Sequence, residues 1–165
     1  MWDDFRAALR LFLMNFSPRV FLVVSDQEHR DLFVQFAGLD ERYDPEQITA
    51  QLASRRNGEH ISLEQVALLE QWGFNESPEK YGSLWQRDLP WPTLSAAIAE
   101  TVNACILTLR DIGGVPDPGR LQYRAWRDPE PVDPLRSLSE LDPGERSVSF
   151  PSLGIMQDPS DPSSW

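Results

Sequence analysis

The chain of 165 residues is poor in several things at once, and each scarcity excludes something. It has one cysteine, Cys105, so no intramolecular disulfide can form and nothing points to an oxidising compartment. Its two histidines, His29 and His60, have no partner at a metal-ligand spacing, and a zinc site needs several ligands together. Both are read as solvated side chains. No stretch approaches the ~20 apolar residues of a membrane helix. The amino-terminal segment Met1 to Phe16 fails as a signal peptide, because Asp3 and Asp4 stand where a basic region belongs and Arg6 and Arg10 break the apolar run. The expected location is the cytoplasm. Lys80 is the only lysine among 15 basic residues, a bias suited to a GC-rich genome.

Catalytic signatures are missing too. There is no Gly-x-Ser-x-Gly, P-loop or dinucleotide fingerprint. Gly113-Gly114 follows a predicted helix instead of opening one, so it cannot present phosphate to a helix N-terminus. Asp40, Glu41 and Asp44 surround Tyr43, yet the EF-hand order with a glycine at its sixth position is absent. They are read as a solvated acidic loop. Cys105 falls on the apolar stripe of a helix, where a small buried hydrophobe is expected and not an exposed thiolate. No catalytic residue, cofactor or metal ligand is assigned, and the chain is read as non-enzymatic. A deep polar pocket lined by Asp, Glu or His would revive an enzyme built from dispersed residues.

What is present is globular composition: 41% hydrophobic and 10% aromatic residues, six of them Trp. A chain of ~150 residues buries roughly 70% of its unfolded surface, enough for one core without staples. The net charge of −11 and pI near 4.5 disfavour nucleic acid and anionic membranes, because encounter begins with like-charge repulsion. Basic or amphipathic partner segments suit such a surface.

Trp2, Phe5, Leu9, Phe12, Leu13 and Phe16 recur at helical spacing, with Asp3 and Asp4 placed to complement the dipole and Pro18 as a stop. Val20 to Val24 is a continuous apolar run, suited to a strand covered on both faces. Ser25 to Asp31 turns the chain, and Leu32 to Ala37 is a second strand ended by Gly38. After a turn at Asp44-Pro45, Gln47 to Ala53 alternates apolar and polar residues as a third strand. Ser62 and Gln65 fit a capping box opening a helix through Val66, Leu68, Leu69 and Trp72, closed by Gly73 and Phe74. Asn75 to Pro92 is expected to be a loop, with Tyr81, Trp85, Leu89 and Trp91 packing it down onto the core. Trp85 and Trp91, if exposed, would instead be interface anchors. Thr93 is the expected cap of the longest helix, Leu94 to about Ile112, followed by Gly113-Gly114 and a final strand at Leu121 to Trp126. Beyond it, residues 127–165 hold seven of the 14 prolines with many Ser, Asp and Glu, and are expected to form an extended or disordered acidic tail. Its apolar islands, Leu135 to Leu141 and Phe150 to Met156, are candidates for docking.

This order of elements resembles the type III secretion chaperone fold, and more specifically the TY-Chap family, of actinobacterial type, whose peptide-binding domains are related to those chaperones and to YbjN proteins. The resemblance rests on Phe21-Leu22-Val23-Val24, Leu32 through Ala37, Leu63 through Gly73-Phe74, Trp85 with Leu89-Pro90, Ala99-Glu100 through Asp117-Pro118, and Leu121-Gln122-Tyr123. Where such domains place Trp after the helix-end glycine, this chain has Phe74. The resemblance covers about residues 1–126. It implies an α+β fold with an antiparallel sheet packed against helices, no cofactor, and recognition of a peptide or client protein.

If Leu32, Val34, Phe36, Ile48, Ala50 and Leu52 face the helices, then Phe33, Gln35, Thr49 and Gln51 share the other face. Gln122, Arg124 and Trp126 join them if Leu121, Tyr123 and Ala125 point inward. These seven are the candidate partner-binding residues, for a peptide or a second copy of the chain. An ordinary solvated face is the plain alternative. A client could instead add a strand at a sheet edge, and the acidic tail could occupy the face as an internal pseudo-ligand. A different function, an immunity-type inhibitor that neutralises one toxin enzyme, would need one tight, salt-sensitive partner.

Overall fold

The computed structural model describes residues 1–39, 46–53, 61–79 and 82–160. The acidic loop at Asp40, Glu41, Tyr43 and Asp44, the Asp44-Pro45 turn, His60, Lys80 and Tyr81 lie outside the described residues.

Helix α1 (Trp2–Met14) buries Phe5, Leu9 and Leu13 along one stripe and carries Asp3 and Asp4 in its first turn. Past Pro18 the chain reverses through Arg19, which adopts a left-handed conformation with φ 66°. Strands β1 (Val20–Asp26), β2 (Phe33–Leu39) and β3 (Gln47–Ala53) follow. In β2 and β3 alternate residues are buried, Val34 and Phe36 on one, Ile48, Ala50 and Leu52 on the other, giving one dry face. Helix α2 (Leu63–Gln71) opens with the capping box: Ser62 Oγ accepts from the Gln65 N–H at 3.2 Å and Gln65 Oε1 accepts from the Ser62 N–H at 3.0 Å. It ends at Gly73, whose φ of 77° favours glycine, and Phe74 turns back into the core.

The segment expected to be a loop is a hairpin. Asn75–Glu79 forms β4 and Gly82–Pro90 forms β5, paired antiparallel. Pro78, Gly82 and Pro90 look like loop residues, but the decisive position is Arg87. Buried Trp85 and Leu89 flank Arg87 on the helix-facing side of β5. There its guanidinium donates to the Trp72 carbonyl at 2.6 Å and to Glu100 at 2.9 Å. A cation thus replaces the apolar residue that alternation requires, and it satisfies an orphan carbonyl at the end of α2.

Helix α3 (Ser95–Ile106) has Leu94, not Thr93, in the N-cap position, and no side chain caps it. The expected cap fails because the chain is still extended at Leu94, one residue past Thr93. The helix continues as a wider π-helical stretch, Leu107–Ile112, in which the Gly113 N–H reaches back five residues to Thr108 at 2.8 Å. Strand β6 (Leu121–Arg127) returns through the sheet, and β7 (Met156–Gln157) comes from the tail.

The fold is α+β. Among the described residues seven strands form one sheet in the order β4-β5-β3-β2-β1-β6-β7, antiparallel throughout except for β6 with β7. Helices α1 and α3 pack together, and Leu9, Leu13, Ile98, Val102 and Ile106 share one core with Leu22, Val34 and Tyr123 of the sheet. Each fully buried Leu, Ile or Phe contributes about 1.5–3 kcal/mol of transfer free energy. Cys105 is completely buried, and burial pushes its thiol pKa far up.

Candidate functional site

The helices cover one face of the sheet and leave the other to solvent and the tail. Register across the strands aligns Arg124, Val23, Gln35, Gln51, Gln86 and Asn75 in one row on that outer face. All seven residues singled out from the sequence lie on it, but in three groups, with Gln35 shared by the first and third.

The first group is an amide ladder. Gln35 Nε2 donates to Gln51 Oε1, Gln51 Nε2 to Gln86 Oε1 at 2.9 Å, and Gln86 Nε2 to Asp88 Oδ1 at 3.2 Å. Thr49 Oγ1 donates to the same Asp88 oxygen at 2.8 Å. These side chains satisfy one another, so a ligand gains less from them than an open amide surface would offer. The second group is Trp126, stacked flat on Phe21 with centroids 5.1 Å apart and an interplanar angle of 1°. The third is a pocket of about 120 Å³ lined by Val23, Ser25, Arg30, Phe33, Gln35, Arg124 and Asp158. Gln122 is buried at its border, because the tail lies over it.

The tail supplies what the pocket holds. After β6 the chain is fastened by Asp142, which accepts from Arg127 Nε at 2.9 Å, from Arg127 Nη2 at 3.1 Å, from Arg19 at 3.1 Å and from the Gly144 N–H at 3.0 Å. The Arg127 guanidinium first, then the Gly144 amide, hold the Asp142 carboxyl down to about 2 against a smaller upward push from burial. The tail then runs along the outer edge of β6. Arg127 and Glu145 exchange backbone bonds at 2.8 and 2.9 Å, the Val148 N–H donates to the Ala125 carbonyl at 2.9 Å, and the Asp158 N–H donates to the Tyr123 carbonyl at 2.7 Å. Between these, Phe150 packs edge-on against Phe12 with centroids 4.7 Å apart, and Leu153 is buried in the main core. The island around Leu135 and Leu138 stays exposed.

Asp158 ends this run with its side chain only 5% exposed, 3.5 Å from Arg30 and accepting from Gln122 Nε2 at a long 3.5 Å. Burial pushes its carboxyl up, but the Ser160 hydrogen bonds and the charges of Arg30 and Arg124 outweigh that and leave it below its ordinary value. Composition analysis missed Asp158 because it is one of many tail acids, and missed Arg30 because it stands in the β1–β2 turn beside His29. Gln86 and Asp88 were hidden in the segment read as a loop. Phe21 sits in the continuous apolar run, whose lack of alternation concealed its outward direction.

Among the described residues no three His, Cys, Asp or Glu side chains cluster to hold a metal, and no helix is long and apolar enough to cross a membrane. No protein of curated function and no solved structure matches the chain. A family model does, TY-Chap3, described as T3SS (YopN, CesT) and YbjN peptide-binding chaperone 3, and it spans residues 1–127, which run from the start of the chain to the end of β6. The chain belongs to this family of peptide-binding chaperone domains.

Proposed function

We propose that the domain binds, without catalysis, an extended segment of a client polypeptide along the β6 edge and the adjoining outer face. The observation that carries this reading is the edge itself. The carbonyls of Tyr123, Ala125 and Arg127 point outward from the sheet and accept N–H groups from two short stretches beyond the family match, Glu145 and Val148 on one and Asp158 on the other. Strand addition of this kind draws its affinity from backbone hydrogen bonds, and side-chain pockets supply the selectivity. The pocket between Arg30 and Arg124 is such a pocket, and the Phe21–Trp126 stack is an adjoining apolar platform. The acidic balance of −11 disfavours nucleic acid and anionic lipid as partners, and a cytoplasmic client fits a chain whose one cysteine is a buried thiol. A second copy of the chain would have to displace the tail to pair at the same edge.

The test is selection of random peptides displayed against the full chain and against its Asp158→Ala variant, followed by alternate backbone N-methylation of any selected peptide. Binding that is lost when one set of alternate amides is methylated, and kept with the other, supports strand addition. Independent selections that enrich no peptide on either protein overturn the reading.

A further inference from the structure

The tail meets β6 in two short stretches of opposite direction, residues 145–148 antiparallel and 156–158 parallel, separated by the Pro151–Leu153 turn. The parallel stretch makes the contacts that a client strand of that direction would make, which raises the question of what its side chains specify. Among the described tail acids Glu140 and Glu145 are exposed and Asp128, Glu130, Asp133 and Asp142 are half-buried. Asp158 is the exception: it is nearly buried and set between the guanidinium of Arg30 and the amide of Gln122, with Arg124 lining the same pocket. A charged group is taken out of water this far only when partners of opposite charge and hydrogen-bond donors receive it. Here two elements of the family domain contribute, the β1–β2 turn through Arg30 and β6 through Gln122 and the charge of Arg124, and the tail adds its own Ser160 N–H at 2.9 Å. The domain therefore contains a built carboxylate-binding position on an otherwise strongly acidic molecule.

The hold at Asp158 itself is shallow, unlike that at Leu153 and Asp142. β7 is two residues long, and Arg30 is 61% exposed, so the pocket is open to solvent on one side. Space of about 120 Å³ remains beside the carboxylate, room for the longer glutamate side chain. The opposite edge of the sheet is ill suited to the same task, because β4 reads Asn-Glu-Ser-Pro-Glu and a proline with two acids blunts strand addition.

We propose that residues 156–158, the stretch that runs parallel to β6, are the chain's own occupant of the client site, with Asp158 as the group that a client aspartate or glutamate must replace. The partner is an extended segment carrying one isolated carboxylate in an otherwise neutral or basic stretch, since a richly acidic segment would be repelled by the net charge of the molecule. The tethered tail competes at an effective concentration on the order of millimolar, so only a segment that offers both the backbone and the carboxylate displaces it. This inference rests on the peptide-binding reading and adds self-occupancy and the acidic requirement to it.

The experiment uses the full chain and a fluorescein-labelled peptide copying Leu153 to Ser160 (Leu-Gly-Ile-Met-Gln-Asp-Pro-Ser), followed by anisotropy. The Asp158→Ala chain should bind this peptide at least about tenfold more tightly than the wild-type chain, the usual scale for losing charge-assisted hydrogen bonds in the competitor. On the same variant, the peptide with Asn in place of Asp should lose about tenfold. In the wild-type chain, excess peptide should release the Asp158 amide to faster hydrogen exchange. Thermal melting checks that the variant is folded, and the isosteric Asp158→Asn chain replaces it if it is not. Equal affinity for wild type and variant, or an Asn peptide that binds as well as the Asp peptide, overturns the inference. If displayed peptides bind both chains equally while the Asp158 amide stays protected, self-occupancy falls and peptide binding stands. If nothing binds either chain, both fall.

Discussion

Leu153→Ala asks whether the tail is separable from the domain that it covers. Leu153 is 1% exposed, held by the short turn Pro151–Leu153 against α1, beside the Phe12–Phe150 contact. Truncating such a leucine costs about 3 kcal/mol, which is on the order of a hundredfold in an opening equilibrium. The family match ends at Arg127, and the core residues Leu9, Leu22, Phe36 and Ile106 lie within it whereas Leu153 does not. The loss should then stay local. Hydrogen exchange at the Val148 and Asp158 amides, both bonded to β6 carbonyls, should accelerate by about a hundredfold, while amides of β2 and β3 accelerate far less. The melting temperature should fall by less than the roughly 2–4 °C per kcal/mol that a fully cooperative loss gives at this size. Uniform acceleration from β3 to the tail, with the full drop in melting temperature, would refute the argument: tail and domain would be one cooperative unit, and no client could displace one without unfolding the other.

Three further outcomes can be checked directly. Asp142 titrates near 2 when fastened, below its ordinary 3.8, so its contribution to tail docking is complete above about pH 4 and is lost as the pH falls toward 2. Exchange at the Glu145 and Val148 amides, corrected for the intrinsic pH dependence, should rise over that window and stay flat above it. Cys105, fully buried with its thiol pushed up, should ignore a thiol reagent such as Ellman's in the native chain and react on denaturation; rapid native labelling would contradict the packing of α3. Gly113→Ala would place a Cβ 2.6 Å from Leu32 Cδ1 and 2.9 Å from the Leu109 carbonyl oxygen, an overpacking cost of about 1–3 kcal/mol visible in a thermal melt. An unchanged melt would show that the end of the π-helical stretch yields without cost.

The elements legible in the sequence are those whose periodicity answers to a single environment. Helix α1, strands β2 and β3 and the boxed start of α2 each bury one stripe and wet the other, and pattern alone locates them. Strand β5 was illegible because Arg87 occupies an inward position, where its contacts with Trp72 and Glu100 come from residues distant in sequence. The start of α3 was misplaced by one residue because Thr93 offered a plausible hydroxyl that the backbone does not use. The outer face was predictable as a set of residues and unpredictable as a site. Alternation says that Gln35, Gln51 and Arg124 point the same way, but only register shows that the glutamines bond to each other while Arg124 meets a pocket. The tail defeats composition for a related reason: it is held by backbone bonds to β6, a few apolar side chains led by Leu153 and Phe150, and two carboxylates, too few to alter its average character.

The two ends of the sheet differ in kind. An exposed strand edge invites pairing with any passing chain, and it is kept safe either by its own sequence or by a cover. At β4 the safeguard is written into the strand as Asn-Glu-Ser-Pro-Glu, which leaves no use for that edge. At β6 the strand reads Leu-Gln-Tyr-Arg-Ala-Trp-Arg, without proline and fully able to pair, and the safeguard is a separate segment joined after it. An edge needed only for stability could carry its protection in itself. Covering β6 instead with a segment held by a two-residue strand, a solvent-facing Arg30, the Asp142 clamp and Leu153 leaves its pairing capacity intact underneath. On the proposed self-occupancy, the cost is a permanent competitor for any client, and that competition should admit segments able to reproduce the carboxylate at Asp158 and exclude those that offer backbone alone.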